Sequence, residues 1–111
     1  EFAVRTFINA DLKAALRHIR QWAGSPNEHV RRLASEGTRP RLPWAEQIPA
    51  FIANPAPMLP ILRRLRDDPS EYVRRSVANH LNDIAKDHPQ RLFRGGFFGI
   101  GQTQFVHAHS E

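Results

Sequence analysis

The chain has 111 residues, no cysteine, and 16 basic against 11 acidic side chains, a formal net charge of +5. That length holds one domain with a modest core. The absence of cysteine excludes disulfides and thiolate metal sites, and no apolar run reaches the length of a bilayer span or a secretory leader. Fourteen of the 16 basic residues are Arg, whose planar fork matches phosphate oxygens in pairs. With an isoelectric point near 11.0, the partner class this favours is a polyanion, against the plainer reading of a generally basic surface.

Along the chain the apolar spacing is helical. Phe2, Val4, Phe7 and Ile8 suit a first helix, and Asp11 is placed to cap a second with Leu12, Ala15, Leu16 and Ile19 on one face, ending near Trp22. Gly24-Ser25-Pro26 breaks the pattern; Ser25 is expected to cap the next helix, with Pro26 in its first turn and Gly37 at its end. Pro40 and Pro43 forbid regular structure over 38–44. Short turns through Ile48, Phe51 and Ile52 are expected next, then a break at Asn54-Pro55-Ala56-Pro57. Met58, Leu59, Ile61, Leu62 and Leu65 form another apolar face, with Pro60 tolerable only in a first turn. Asp68-Pro69 is expected to open the longest helix, with Val73, Val77, Leu81, Ile84 and Ala85 inward and a stop at His88-Pro89.

One phrase occurs twice. Ser25-Pro26-Asn27-Glu28-His29-Val30-Arg31-Arg32 returns 43 positions later as Asp68-Pro69-Ser70-Glu71-Tyr72-Val73-Arg74-Arg75. Two-helix repeats of the HEAT type have this period and stack into a solenoid with a concave binding face. The expected fold class is therefore all-α, an α–α superhelix of HEAT-like repeats over residues 1–90. The chain opens at Glu1 without an initiator Met, which reads as a piece of a longer protein. Residues 91–111 change character: Gly95-Gly96-Phe97-Phe98-Gly99-Ile100-Gly101 has no helical period. It lacks the preceding strand and following helix of a phosphate loop, and is expected to be a flexible tail or an addition foreign to the domain. His107 and His109 alone make no metal site. His18, His29, His80 and His88 show no ligand spacing and are expected at the surface or core edge.

Three strings carry a resemblance. Glu1-Phe-Ala-Val-Arg5, the run from Arg31 through Arg-Leu-Ala-Ser-Glu-Gly-Thr-Arg-Pro-Arg-Leu-Pro to Trp44, and Ser76-Val-Ala-Asn-His-Leu-Asn-Asp-Ile-Ala-Lys86 resemble the alkylpurine DNA glycosylases built from HEAT-like repeats, the AlkC branch more than AlkD. The likeness covers residues 1–90. Thr6 stands where the family carries Pro, and the tail does not match. The resemblance implies DNA repair: hydrolysis of the N-glycosidic bond of a cationic N-alkylated base such as 3-methyladenine, with no metal or cofactor. It makes Glu1, Glu36 and Asp83 the active-site acids and Trp44 an aromatic wall, and sets Arg32 and Arg39 on the DNA backbone.

The residue types suit that chemistry. A cationic base is already a good leaving group, so the enzyme mainly needs negative charge beside a sugar turning oxocarbenium-like, plus a positioned water. Glu36 falls at a helix C-terminus, where the dipole disfavours a carboxylate, or it simply pairs with Arg32 one turn earlier. Arg75, Asn79 and Asp83 share one helix face flanked by Asn82 and Lys86, readable as a DNA-contacting face or as a solvated one with an Asp83–Lys86 pair. Trp44 can stack on a base or plug the core. Arg31, Arg32, Arg74 and Arg75 form a ladder suited to phosphates. The expected partner is double-stranded DNA containing alkylated bases, bound by a cytoplasmic monomer with no membrane association. The alternative is a non-catalytic HEAT-repeat scaffold binding DNA or protein.

Overall fold

The computed structural model describes residues 2–42, 45, 47–94 and 97. Among these residues every regular element is helical. Helix α1 (Phe2–Ala10) leads through Asp11 into α2 (Leu12–Ala23), and the Asp11 carboxylate accepts the Ala14 N–H at 3.2 Å as an N-cap. Ala15, Ile19 and Ala23, four residues apart, make the buried stripe of α2. Helix α3 (Glu28–Glu36) packs against it. A loop then leads to α4 (Pro49–Ala53), a single 3-10 turn (Ala56–Met58) and α5 (Leu59–Leu65), with Pro60 in the first turn of α5 as expected. The longest helix, α6 (Glu71–Asp87), and the short α7 (Pro89–Arg94) complete the order.

The sequence repeat is a structural repeat. Helices α2 and α3 form one hairpin, α5 and α6 the next, and α3 packs along α6. Ile19, Ala34, Phe51, Met58, Leu62, Leu65, Val73, Val77, Leu81 and Ile84 meet in one core between them. Equivalent residues even make equivalent bonds. Arg31 Nη1 donates to the Ser25 carbonyl at 3.0 Å, and Arg74 Nη1 to the Asp68 carbonyl at 2.6 Å. His29 and Tyr72, the aromatic position of each copy, touch edge to face with centroids 5.5 Å apart. Leu92 and Phe97 also join the core, and the Arg63 and Arg66 guanidiniums lie 5.9 and 5.8 Å from the Phe97 ring.

Three local expectations need correction. The helices of the repeat start two residues later than their first polar residue. Asn27 caps α3 by accepting from the His29 N–H, and Ser70 caps α6 by accepting from Val73 N–H. Ser25 and Asp68 instead brace the turn before, accepting the Asn27 and Ser70 N–H groups, so Pro26 and Pro69 sit outside the helices. Gly37 does end α3, but at φ −69°, so left-handed backbone is not the reason for glycine. A Cβ there would lie 2.9 Å from the Leu33 carbonyl oxygen and 3.0 Å from Leu33 Cδ1; the turn is too tight for a side chain.

Asp68 ties the two copies together. Its carboxylate takes Arg31 Nε at 2.8 Å and Nη2 at 3.1 Å, as well as the Ser70 N–H at 2.9 Å. Burial alone would raise the Asp68 pKa; the hydrogen bonds from Arg31 and Ser70 and the charges of Arg31 and Arg74 outweigh it and hold the group below its ordinary value. The folded state thus binds that proton more weakly than the unfolded chain. The resulting stability is full above the unfolded carboxyl pKa, about 4, and is lost as pH falls through the folded value. Asp68→Asn is expected to lower stability at pH 7 by about 1–3 kcal/mol and to flatten the acid side of the stability profile, measured by urea unfolding from pH 7 to pH 2.

Candidate active site

Helix α3 ends in Glu36, and the loop after it is strapped to α6 by two arginines. Arg39 donates from Nε to Asp83 Oδ2 at 2.9 Å and from Nη2 to Asp83 Oδ1 at 3.1 Å. One helical turn further along α6, Arg41 forks onto Asp87 at 2.7 and 2.9 Å. The third donor of Arg39, Nη1, reaches Glu36 Oε2 at 3.2 Å. One guanidinium therefore joins carboxylates from successive repeats. Burial would lower the pKa of Arg39; the Asp83 hydrogen bonds and the charges of Asp83 and Glu36 reverse this and raise it.

The loop is held from behind by Arg5, which is fully buried. It donates to the Gly37 carbonyl at 3.3 Å and the Arg39 carbonyl at 2.8 Å. Thr38 Oγ1 shares its one proton between the Ala34 and Ser35 carbonyls, 2.8 and 3.0 Å away, at the end of α3 where carbonyls lack a helical partner. The other Glu36 oxygen, Oε1, accepts from Ser76 Oγ at 2.8 Å. Beside it His80 is wholly enclosed, with Nδ1 2.9 Å from the Ser35 carbonyl. A carbonyl only accepts, so Nδ1 carries the proton. Nε2 is then the bare nitrogen, and it has no hydrogen-bond partner among the described residues.

The candidate residues from the sequence divide as follows. Glu36 and Asp83 converge on Arg39, at 8% and 1% exposure. Asp83 pairs with Arg39, not with Lys86, and lies inside the protein instead of on a solvated face. Arg32 sits 3.7 Å from Glu36 Oε2, with its guanidinium 4.5 Å from the centre of the Tyr72 ring. Asn79 and Asn82 are half-buried on α6 and Lys86 is exposed. Arg75 is exposed and pairs with Glu71 at 3.2 Å. Arg31 and Arg74 are engaged at the Asp68 junction. Glu1 and Trp44 lie outside the described residues. His80 was expected at the surface or core edge and is buried, because it falls seven residues after Val73, on the apolar stripe of α6. Arg5, Ser35 and Ser76 were not singled out. Arg5 precedes Ile8 by three, and Ser76 precedes His80 by four, so helical spacing marks both as inward-facing.

A family model of DNA alkylation repair enzymes matches residues 2–94. The chain belongs to that family. It is 56% identical over 92 residues to the uncharacterized protein YhaZ of Bacillus subtilis, a match covering 83% of this chain and 26% of that one. A solved structure of Pseudomonas fluorescens alkylpurine DNA glycosylase AlkC, bound to DNA containing an abasic site analog, aligns with a TM-score of 0.84 at 44% identity. That alignment covers 95% of this chain and 30% of AlkC. The chain thus spans under a third of the length of either relative.

Burial pushes the pKa of His80 from 6.5 down to about 4, against the Ser35 carbonyl and the nearby Asp83 charge, which act to raise it. Between those two values the unfolded chain takes up a proton here and the folded chain does not, so stability falls as pH drops across the window. At ~1.4 kcal/mol per pH unit the imidazole accounts for a loss of about 3 kcal/mol. Urea unfolding at pH 7 and pH 4.5 is expected to show a smaller difference in a His80→Gln variant than in the wild type.

Proposed function

We propose that the protein is a DNA glycosylase that hydrolyses the N-glycosidic bond of cationic N-alkylated bases, with Glu36 as the acting carboxylate. The observation that carries this reading is the gathering of two acids from successive repeats at one guanidinium, in a chain with an excess of basic residues. Membership of the repair family and the 44% likeness to a DNA-bound glycosylase support it. Arg39 carries one positive charge against the two carboxylates, and with Arg32, 3.7 Å from Glu36 Oε2, turned to a DNA phosphate, one negative charge is left in excess. A fixed charge of that sign lowers the energy of a sugar becoming cationic, and it need not reorganise as the bond breaks. Glu36 is the more exposed of the two acids, so it is the one to meet the sugar and to accept a proton from the attacking water. Asp83 supplies field and holds Arg39. In this reading Glu1 is a third acid and Trp44 an aromatic wall.

The DNA backbone is assigned to Arg32, with the exposed Arg75 and Lys86 and the neighbouring Asn79 and Asn82 along the same edge. Stacking on Tyr72 restricts the Arg32 guanidinium before any phosphate arrives. The partner is double-stranded DNA carrying alkylated bases, in a cytoplasmic setting. Among the described residues no helix is long and apolar enough to cross a membrane, and no group of three or more acidic, His or Cys side chains is placed to hold a metal.

In the longest natural polypeptide carrying this chain, Glu36→Gln is expected to slow release of 3-methyladenine from methylated DNA by about 100-fold or more. Binding to the same DNA should stay close to wild type. Wild-type release by that variant would remove Glu36 as the acting carboxylate, and no release by the wild type would favour the non-catalytic scaffold. Arg32→Ala is expected to reduce the slope of log affinity against log salt by about one. Arg31→Ala, whose partner is Asp68, should leave that slope unchanged while lowering the melting temperature.

A further inference from the structure

We propose that Ser76 is a positioning residue, whose hydroxyl holds Glu36 to a single contact with Arg39 and so keeps its negative charge available. The inference rests on the reading of Glu36 given above. Ser76 Oγ lies 2.8 Å from Glu36 Oε1 and 2.9 Å from Ser35 Oγ, all within the buried seam between α3 and α6. An ionised carboxylate only accepts, so the one proton of Ser76 points at Glu36. The Ser35 hydroxyl must then donate to Ser76, which sets a single direction for the chain of bonds: Ser35 to Ser76 to Glu36. Each oxygen of Glu36 is claimed by a different donor, Oε1 by Ser76 and Oε2 by Arg39 at 3.2 Å.

That division matters because Arg39 has a second use for Glu36. Its Nε and Nη2 each donate to Asp83, but the Nη1–Nη2 edge of a guanidinium can donate to a second carboxylate in the paired, forked geometry. With Ser76 removed, Oε1 loses its hydrogen bond, and rotation of the carboxylate onto that edge becomes its best arrangement among the described residues. A forked ion pair spreads the charge of Glu36 over Arg39 and turns it away from a cationic sugar. Ser76 is fixed in turn by its helix: His80, one turn later on α6, binds the Ser35 carbonyl at 2.9 Å. Two successive turns of α6 thus grip the last turn of α3. Among the described residues, the charged and titratable groups facing Glu36 are Arg39 and Arg32 by contact, with Asp83 held across Arg39 and His80 beside Ser35.

The test compares Ser76→Ala, Ser76→Thr and Glu36→Gln in the longest natural polypeptide carrying this chain. Each is assayed for single-turnover release of 3-methyladenine from methylated duplex DNA, for binding to a duplex with an abasic analog, and for thermal melting. Ser76→Ala is expected to slow release by about 10-fold, as loss of one hydrogen bond to a charged group implies, with binding changed by less than about twofold. Ser76→Thr, which keeps the hydroxyl, is expected to recover most of the rate. Wild-type release by a folded Ser76→Ala, or no recovery by a folded Ser76→Thr, overturns the inference while an inactive Glu36→Gln leaves the glycosylase reading intact. A fully active Glu36→Gln removes Glu36 as the acting carboxylate and the inference with it, whereas no release by the wild type overturns the glycosylase reading itself. Should Ser76→Ala not fold, Ser35→Ala takes its place: it removes only the donor that orients the Ser76 proton, and an unchanged release rate again overturns the inference.

Discussion

The site depends on one buried guanidinium. Arg39 is the only described side chain bonded to both Glu36 and Asp83, and it binds all three of its nitrogens to them. Desolvating three charges is expensive, and such a cluster adds little net stability even when its hydrogen bonds are complete. Its value lies in placement. Two carboxylates from helices in different repeats, left to themselves, would repel each other and turn to solvent. With Arg39 between them they are held together, under protein, at fixed angles. The surrounding structure keeps Arg39 there: Arg5 takes the backbone carbonyls of Gly37 and Arg39, Gly37 permits the sharp departure from α3, and the outer Arg41–Asp87 pair fastens the far side of the loop.

The repeat, the helical class and the inward faces were legible because they are periodic. A 43-residue shift aligns two phrases, and apolar spacing near 3.6 marks Ile19, Val73, Val77 and Leu81 as core. What escaped was decided by competition between chemically similar residues. Ser25 and Asn27 both make good caps, and only the turn geometry decides that Asn27 takes the helix. The arginine pairs look alike in sequence, yet Arg31 lies under the Asp68 carboxylate while Arg32 stacks on Tyr72. Their roles differ because helical pitch turns neighbouring side chains roughly 100° apart, and the sequence alone does not say which of the two meets Asp68. The Arg39–Asp83 pair is separated by 44 residues, close to one repeat, and no local pattern announces it.

The repeat also explains why the site is where it is, through the point at which its two copies diverge. In the 43-residue register Gly37 corresponds to His80. The first copy stops its helix there, after 9 residues; the second continues, for 17 in all. Everything from His80 to Asp87 therefore has no helical counterpart in α3. The loop released by Gly37 fills the space along those extra turns, and the bonds that form the site lie there: Ser35 to His80, Arg39 to Asp83, Arg41 to Asp87. A perfectly symmetric array would pair α3 and α6 side by side along their whole length and leave neither a spare helix face nor a free loop. The buried His80 ring and the enclosed Asp83 are tolerated because the asymmetry supplies each with a partner from the loop or from the end of α3. The same register places Ser76 opposite Leu33 and Asn79 opposite Glu36. An apolar position of the first copy has become the hydroxyl that binds the carboxylate of the other. Divergence at a few positions of a duplicated unit, not a separate catalytic element, builds the polar center of this seam.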